Sequence, residues 1–126
     1  MKFGKRILLP SYTRKKDYRS WVDEDRDYYF GCVRCSAEIP ISFQSTIGAI
    51  YWSHRYDPQT VELIRKHFDL NLVGKSHDDG WPAVFQVACQ SCELEYLVYA
   101  GVDEVSNSVY TVVIQGISEI VGNPGL

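Results

Sequence analysis

Two Cys-x-x-Cys motifs constrain this chain more than any other feature of its sequence. One runs from Cys32 to Cys35 and the other from Cys89 to Cys92, and together they use all four cysteines of the 126-residue chain. Two thiolates separated by two residues can converge on one cation, and two such pairs complete the tetrahedral shell that structural zinc prefers. The sequence therefore predicts one structural Zn²⁺ per chain, bound by Cys32, Cys35, Cys89 and Cys92.

Other uses of these cysteines fit the sequence less well. A disulfide within one Cys-x-x-Cys pair would close too short a loop to restrain the unfolded chain much. A thioredoxin-like redox motif belongs to a βαβ unit, whereas both pairs here lie among strand-like segments. Four thiolates also leave no position for a catalytic water, which argues against zinc-dependent hydrolysis. An iron centre takes the same four ligands, so the choice between zinc and iron stays open.

The paired motifs and the strand-like residues around them resemble a zinc ribbon. The resemblance implies a metal-ligand role for the four cysteines alone and covers a minor part of the chain. Many ribbons carry Gly after the second cysteine of each motif, and this chain has Ser36 and Glu93 at those positions. Because a fold does not determine an activity, the resemblance implies a zinc-binding module and no particular reaction.

Alternating apolar residues predict that much of the chain is β-structure. Pro40 favours a sheet edge for its strand, and Gly116 is expected to form a β-bulge. The last two strands are expected to pair as a hairpin with a turn at 101–107. The predicted strands are Tyr28–Gly31, Glu38–Phe43, Ala83–Ala88, Glu93–Ala100 and Ser108–Ile120.

One helix is predicted between the two motifs, over about residues 58–69. Asp57 can cap its N-terminus, and apolar residues recur on one helical face. Tyr51 and Trp52, ahead of the helix, are expected in the core, and His67 is expected at the surface or boundary. The expected fold class is α+β and mainly β, with an antiparallel sheet, two zinc knuckles and one packed helix.

Charge divides the chain into two parts of opposite sign. Residues 1–26 hold eight Lys/Arg against four Asp/Glu, the remainder holds five against twelve, and the formal net charge is −3. We expect a basic, aromatic N-terminal arm over residues 1–27 and one zinc-knuckle domain over residues 28–121, with the helix as an insert. Residues 122–126 are expected to form a flexible tail.

The apolar runs of the chain are short. None approaches the ~20 residues that span a bilayer, and Ile7–Leu9 is too short for the core of a signal peptide. A cytoplasmic location and no membrane partner are therefore expected. A reducing compartment would also keep the thiols available for a metal.

Charge and composition favour a non-enzymatic protein-interaction domain. Nine tyrosines suit interface anchors, and the acidic body would attract a basic protein partner. A small acidic domain of this kind is similar in general character to bacterial immunity proteins, which bind and neutralise a cognate toxin. The expected partner is therefore a protein, with a basic toxin domain as the specific hypothesis.

Two other functions stay open. The cations and aromatics of the N-terminal arm suit phosphates and bases, so a nucleic-acid-binding zinc ribbon is the alternative. An enzyme would use His77 beside Asp78 and Asp79, although no nucleophile or phosphate-binding glycine pattern accompanies them. No catalytic or cofactor-binding residue is assigned.

Overall fold

Seven strands and two α-helices make up the part of the chain that the computed structural model describes, which is residues 1–7, 15–18, 28–70, 80–106 and 109–121. In chain order the elements are β1 (Lys2–Ile7), β2 (Lys15–Tyr18), β3 (Tyr28–Gly31), β4 (Glu38–Ile41), α1 (Phe43–Gly48), a 3₁₀ helix (Trp52–His54), α2 (Pro58–Phe68), β5 (Trp81–Ala88), β6 (Glu95–Ser106) and β7 (Val109–Val121).

These strands form two antiparallel sheets. The main sheet has the order β1-β7-β6-β5, and β2 also pairs with β7. Because β6 occupies one edge of β7, β1 and β2 share its other edge. The smaller sheet is the β3–β4 hairpin. The expected mainly β chain with antiparallel pairing is confirmed, and so is the hairpin of the last two strands.

Local capping explains where α2 begins and ends. The Asp57 carboxylate accepts a hydrogen bond from the Thr60 N–H at 2.7 Å, and Pro58 occupies the first turn. Asp69 adopts a left-handed conformation with φ 55°, and the Leu70 N–H then closes the helix on the Arg65 carbonyl. These signals agree with the helix predicted over 58–69.

Both faces of the main sheet are covered. Side chains alternate along β6, so that Tyr96 and Val98 face one side while Leu97 and Tyr99 face the other. The Tyr96 side packs against β3, β4 and α1, and its core includes Phe30, Ile39, Ile41, Ile47, Val102 and Ile114. The Tyr99 side packs against α2 and the 3₁₀ helix, and its core includes Trp52, Ile64, Phe68, Val84 and Ile120. The main sheet is therefore the middle layer of three.

A bulge in β7 lets α2 approach the sheet closely. Tyr99 pairs with Gly116 and Ala100 pairs with Ile114, so Gln115 is the extra residue. A Cβ at Gly116 would stand 2.8 Å from the Phe68 ring. The bulge predicted at Gly116 is confirmed, and the absent side chain makes room for an aromatic ring of the helix.

The structure differs from the predicted elements at three places. Ser42 caps α1 by accepting the Ser45 N–H at 3.1 Å, so Phe43 begins a second, short helix instead of ending a strand. β6 runs through the predicted turn at 101–107 as far as Ser106. Tyr51 is 68% exposed, whereas Trp52 lies in the core as expected.

The predicted N-terminal arm contributes strands to the main sheet. Lys2–Ile7 and Lys15–Tyr18 pair with β7, so these two segments of the arm are strands of the main sheet. Residues 8–14 and 19–27 of the arm lie outside the described residues, as does the predicted tail 122–126.

Candidate metal centre

The two Cys-x-x-Cys motifs occupy equivalent turns in two hairpins, one between β3 and β4 and the other between β5 and β6. In the first turn the Cys32 N–H donates to the Ala37 carbonyl at 2.9 Å, and in the second the Cys89 N–H donates to the Leu94 carbonyl at 2.9 Å. The residue after each motif donates its N–H back to the carbonyl of the first cysteine, also at 2.9 Å. One local geometry is thus built twice.

Each turn depends on a residue in the left-handed conformation. Ser36 and Glu93 both have φ 65°, and each directly follows the second cysteine of its motif. Glycine adopts this conformation without the steric strain that a Cβ brings. Ser36 and Glu93 therefore hold a backbone conformation that glycine, expected at these positions from the ribbon pattern, would adopt without strain.

The four sulfurs are close enough to share one ion. All four Sγ atoms lie within 4.8 Å of one another. Two close separations join the hairpins, with 3.5 Å from the Cys32 Sγ to the Cys92 Sγ and 3.4 Å from the Cys35 Sγ to the Cys89 Sγ. Sulfurs bound tetrahedrally to zinc at about 2.3 Å lie about 3.8 Å apart. The donor set and its spacing fit a four-thiolate metal site.

The two cysteines of each motif differ in pKa because their hydrogen bonds differ. Burial raises the pKa of Cys32, but hydrogen bonds from the Tyr96 hydroxyl and from the backbone N–H groups of Cys35 and Arg34 lower it to about 6. Backbone N–H groups, that of Cys92 first, likewise lower the pKa of Cys89. The first cysteine of each turn therefore loses its proton more readily than a free cysteine does.

The second cysteine of each motif behaves in the opposite way. The Ala37 N–H lowers the pKa of Cys35, but its contact with Cys89 and the partial loss of surrounding water together raise it to about 12. The pKa of Cys92 is also raised, because burial and the neighbouring Cys32 and Cys89 outweigh the Leu94 N–H. A dication would supply the positive charge that all four thiolates need to coexist.

Tyr96 connects the two hairpins beside the sulfurs. It lies on β6, is fully buried, and packs edge-on against Phe30 of β3 at 4.9 Å. Its hydroxyl accepts the Val33 N–H at 2.9 Å and donates to the Cys32 Sγ at 3.3 Å. Sequence reasoning missed this role, because the alternation along β6 identifies Tyr96 only as a core residue.

His67 has a structural environment away from the cysteines. Its ring stacks on Phe3 of β1 with centroids 3.8 Å apart, and its Nε2 lies 2.8 Å from the Ser118 Oγ of β7. Burial, and then the charge of Arg6, lower the pKa of His67. Its half-buried side chain, between the core and the surface, agrees with the sequence-based expectation.

The candidate enzyme residues His77, Asp78 and Asp79 lie outside the described residues. Within the described ranges, the four cysteines are the sole cluster of three or more His, Cys, Asp or Glu side chains with metal-binding spacing. None of the helices in these ranges has the length and apolar character needed to cross a membrane.

Comparison of the chain with protein-family models, with curated proteins and with solved structures gives no match. The resemblance to a zinc ribbon therefore rests on the four cysteines and their turns, and the comparisons add no support to the resemblance to immunity proteins.

Proposed function

We propose that this chain is a non-enzymatic protein-interaction domain whose fold is stabilised by one structural zinc ion of the zinc-ribbon type. One observation carries the metal assignment: four cysteine sulfurs from two equivalent hairpin turns lie within 4.8 Å of one another. Zinc is favoured because a closed tetrahedral shell of thiolates suits its preferred geometry. The ligands are Cys32, Cys35, Cys89 and Cys92.

The ion would join two sheets that lack a common backbone ladder. Among the described strands, β3 and β4 pair only with each other, while β5 and β6 belong to the main sheet. Apolar packing, the hydrogen bonds of the Tyr96 hydroxyl and the four sulfurs would therefore hold the small hairpin in place. Since such a site does not exist in the unfolded chain, the free energy of metal binding contributes to folding.

Exposed apolar side chains support an interaction role. Tyr51 is 68% exposed and Trp81 is 64% exposed, and large aromatic residues are frequent anchors at protein interfaces. The acidic balance outside residues 1–26 favours a basic partner. The specific hypothesis remains a cytoplasmic bacterial immunity protein that binds and neutralises a cognate toxin.

Metal analysis and partner capture test the two parts of this proposal. Protein purified without chelator should contain one zinc per chain, and Cys35→Ser should lose it while Ser91→Ala, a change in the second turn that removes no ligand, should keep it. Wild-type protein should capture a protein partner from lysate after nuclease treatment. Iron in place of zinc would contradict the metal assignment, and an absence of any protein partner would contradict the interaction role.

A nucleic-acid-binding ribbon is the second candidate, and exposed cations on β1 favour it. Lys2, Lys5 and Arg6 are all exposed at one edge of the main sheet. If they bind phosphates, nucleic acid should co-purify and be released by nuclease, and its affinity should fall steeply with salt. Replacing Lys2 and Lys5 with Gln should then reduce both the affinity and its salt dependence.

A further inference from the structure

Among the described strands, β5 has a neighbour on one side only, and its outer edge lies next to the second Cys-x-x-Cys turn. β5 is a terminal strand of the main sheet and is bonded to β6 on one side. The Val84 N–H points away from β6, because it donates to the Ala49 carbonyl at 3.3 Å. Backbone groups alternate in direction along an antiparallel strand, so Gln86 and Ala88 also direct their N–H and C=O groups outward. In the described part of the chain these outward groups have no backbone partner.

A cleft lies beside this open edge. It has a volume of about 610 Å³, and residues 84–86 form one of its walls. Among the described residues that line the cleft, Arg55 has the one charged side chain, and its guanidinium donates to the Gly48 carbonyl at 2.9 Å. The Tyr56 hydroxyl donates to the Gln86 Oε1 at 3.1 Å. Two polar contacts therefore fix the side chains that border the cleft.

We propose that this edge binds an extended segment of a partner protein as an added β-strand, with a carboxylate of that segment paired to Arg55. The inference rests on the proposed protein-interaction function and specifies the chemistry of its partner. An unpaired edge offers backbone donors and acceptors that an extended peptide satisfies. The N–H donors of a guanidinium match the two oxygens of a carboxylate. We therefore expect the bound segment to carry a negative charge that faces Arg55.

The length of the added strand is limited at both ends. At one end, Ala49 lies against the outer edge of β5, and its carbonyl already accepts the hydrogen bond from the Val84 N–H. Beyond Ala88 the strand turns into the metal centre at Cys89. The edge therefore fits only a short segment. Because few backbone hydrogen bonds are available to it, the contact between its carboxylate and Arg55 supplies much of the selectivity.

Peptide selection provides the probe. Short random peptides displayed on phage and selected on the zinc-loaded protein should yield binders that share a carboxylate, as Asp, Glu or a free C-terminus, next to β-branched residues. Calorimetry with one synthetic binder should give a Kd that rises about tenfold in Arg55→Gln, as expected for loss of a charge-assisted hydrogen bond. Lys66→Gln, which removes an exposed cation from α2, should leave the Kd unchanged.

A backbone variant tests strand addition itself. Gln86→Pro removes an outward N–H and leaves the β5–β6 ladder intact, so it should weaken the peptide by about tenfold. Gln86→Ala is the matched control, because it removes the same side chain and keeps the N–H. Zinc content and melting temperature establish that each variant is folded.

Three outcomes would overturn the inference: no peptide is recovered, the recovered peptides lack a common carboxylate, or the Arg55 and Gln86 variants bind as the wild type does. Its failure is distinguishable from failure of the proposed function. If a protein partner binds the wild type, Arg55→Gln and Gln86→Pro equally, strand addition is refuted while the interaction role is still supported.

Discussion

At the scale of single residues, Tyr96 links the chemistry of the cysteines to the core. Its hydroxyl is held between the Val33 N–H and the Cys32 Sγ, and its ring is fully buried. Groups that hydrogen-bond to a metal ligand orient that ligand and tune its affinity for the ion. Tyr96 is therefore a positioning residue for the proposed site.

Tyr96→Phe tests this role. We expect zinc affinity to fall by about 10- to 100-fold, because the variant removes a hydrogen bond to a ligand sulfur and preserves the ring. Competition with a chromophoric chelator measures the affinity. Tyr51→Phe, which removes the hydroxyl of an exposed tyrosine, should behave as the wild type. Equal affinities in all three proteins would show that the hydroxyl has no part in metal binding.

The left-handed residues after each motif allow a stabilising change. Ser36→Gly and Glu93→Gly should each raise the free energy of unfolding by about 0.5–1 kcal/mol, because relief of a strain of about 1–2 kcal/mol exceeds the entropic penalty of glycine. Denaturant unfolding of the zinc-loaded protein measures this difference. Ser91→Gly lies within the second turn without a positive φ and should destabilise slightly. A loss of stability at both Ser36 and Glu93 would contradict the strain argument.

Residue spacing predicted the position of the cysteine cluster but not its surroundings. The two motifs are local patterns, and each brings two sulfurs together within a single turn. The hydrogen bond from Tyr96 to Cys32 instead depends on how β6 packs against the β3–β4 hairpin. No spacing in the sequence encodes that contact.

At the scale of elements, the contact of α2 with the main sheet depends on one missing side chain. Gly116 lies opposite Tyr99, and the Phe68 ring fills the space above it. The bulge at Gln115 places Gly116 on the helix-facing side of β7. α2 therefore packs closely on β7 because the Phe68 ring occupies the space left by the missing side chain of Gly116.

Gly116→Ala should disturb this fit. The added Cβ would stand 2.8 Å from the Phe68 ring, so we expect a loss of about 1–3 kcal/mol in the free energy of unfolding. Thermal or denaturant unfolding measures the loss, and combining the change with Phe68→Leu should recover part of it. Gly48→Ala is the control, since its added Cβ would meet no atom within 4 Å. Equal stability of Gly116→Ala and the wild type would show that the ring moves aside freely.

Prediction of the elements succeeded where local signals are strong. The cap at Asp57 and the apolar face of the following residues define α2 from sequence alone. α1 was missed because it has six residues, too few to display a helical period, and because Ile39, Ile41 and Phe43 continue an alternating pattern. The Ser42 cap was the one signal that could have identified it.

At the scale of the whole molecule, the proposed ion joins the small hairpin to the main sheet. We expect metal removal to release residues 28–41 before residues 95–106, because the hairpin has no backbone ladder to the main sheet and is held by side-chain packing, the Tyr96 hydroxyl and the sulfur ligands. Hydrogen exchange should show a greater loss of amide protection in the first range after chelator treatment. Cys35→Ser should reproduce this pattern in the presence of zinc. Equal loss in both ranges would indicate that the metal stabilises the molecule uniformly.

The arrangement of the whole molecule was the least predictable part. Lys2–Ile7 carries basic residues without sustained apolar periodicity, so the sequence places it in an N-terminal arm and gives no sign of a strand. Its pairing with β7 depends on backbone hydrogen bonds between segments far apart in sequence. Such pairing depends on the assembled sheet, and no local sequence pattern predicts it.

The central place of β7 in the main sheet has a consequence for synthesis in the cell. Lys2 pairs with Val121, so β1 is translated more than a hundred residues before its partner exists. At about 5–20 residues per second, the ribosome takes roughly 5–25 s to supply that partner. Contacts so distant in sequence also form slowly in the refolding chain. The nascent sheet is thus incomplete until β7 emerges, and a message truncated before this strand should yield a product for proteolysis.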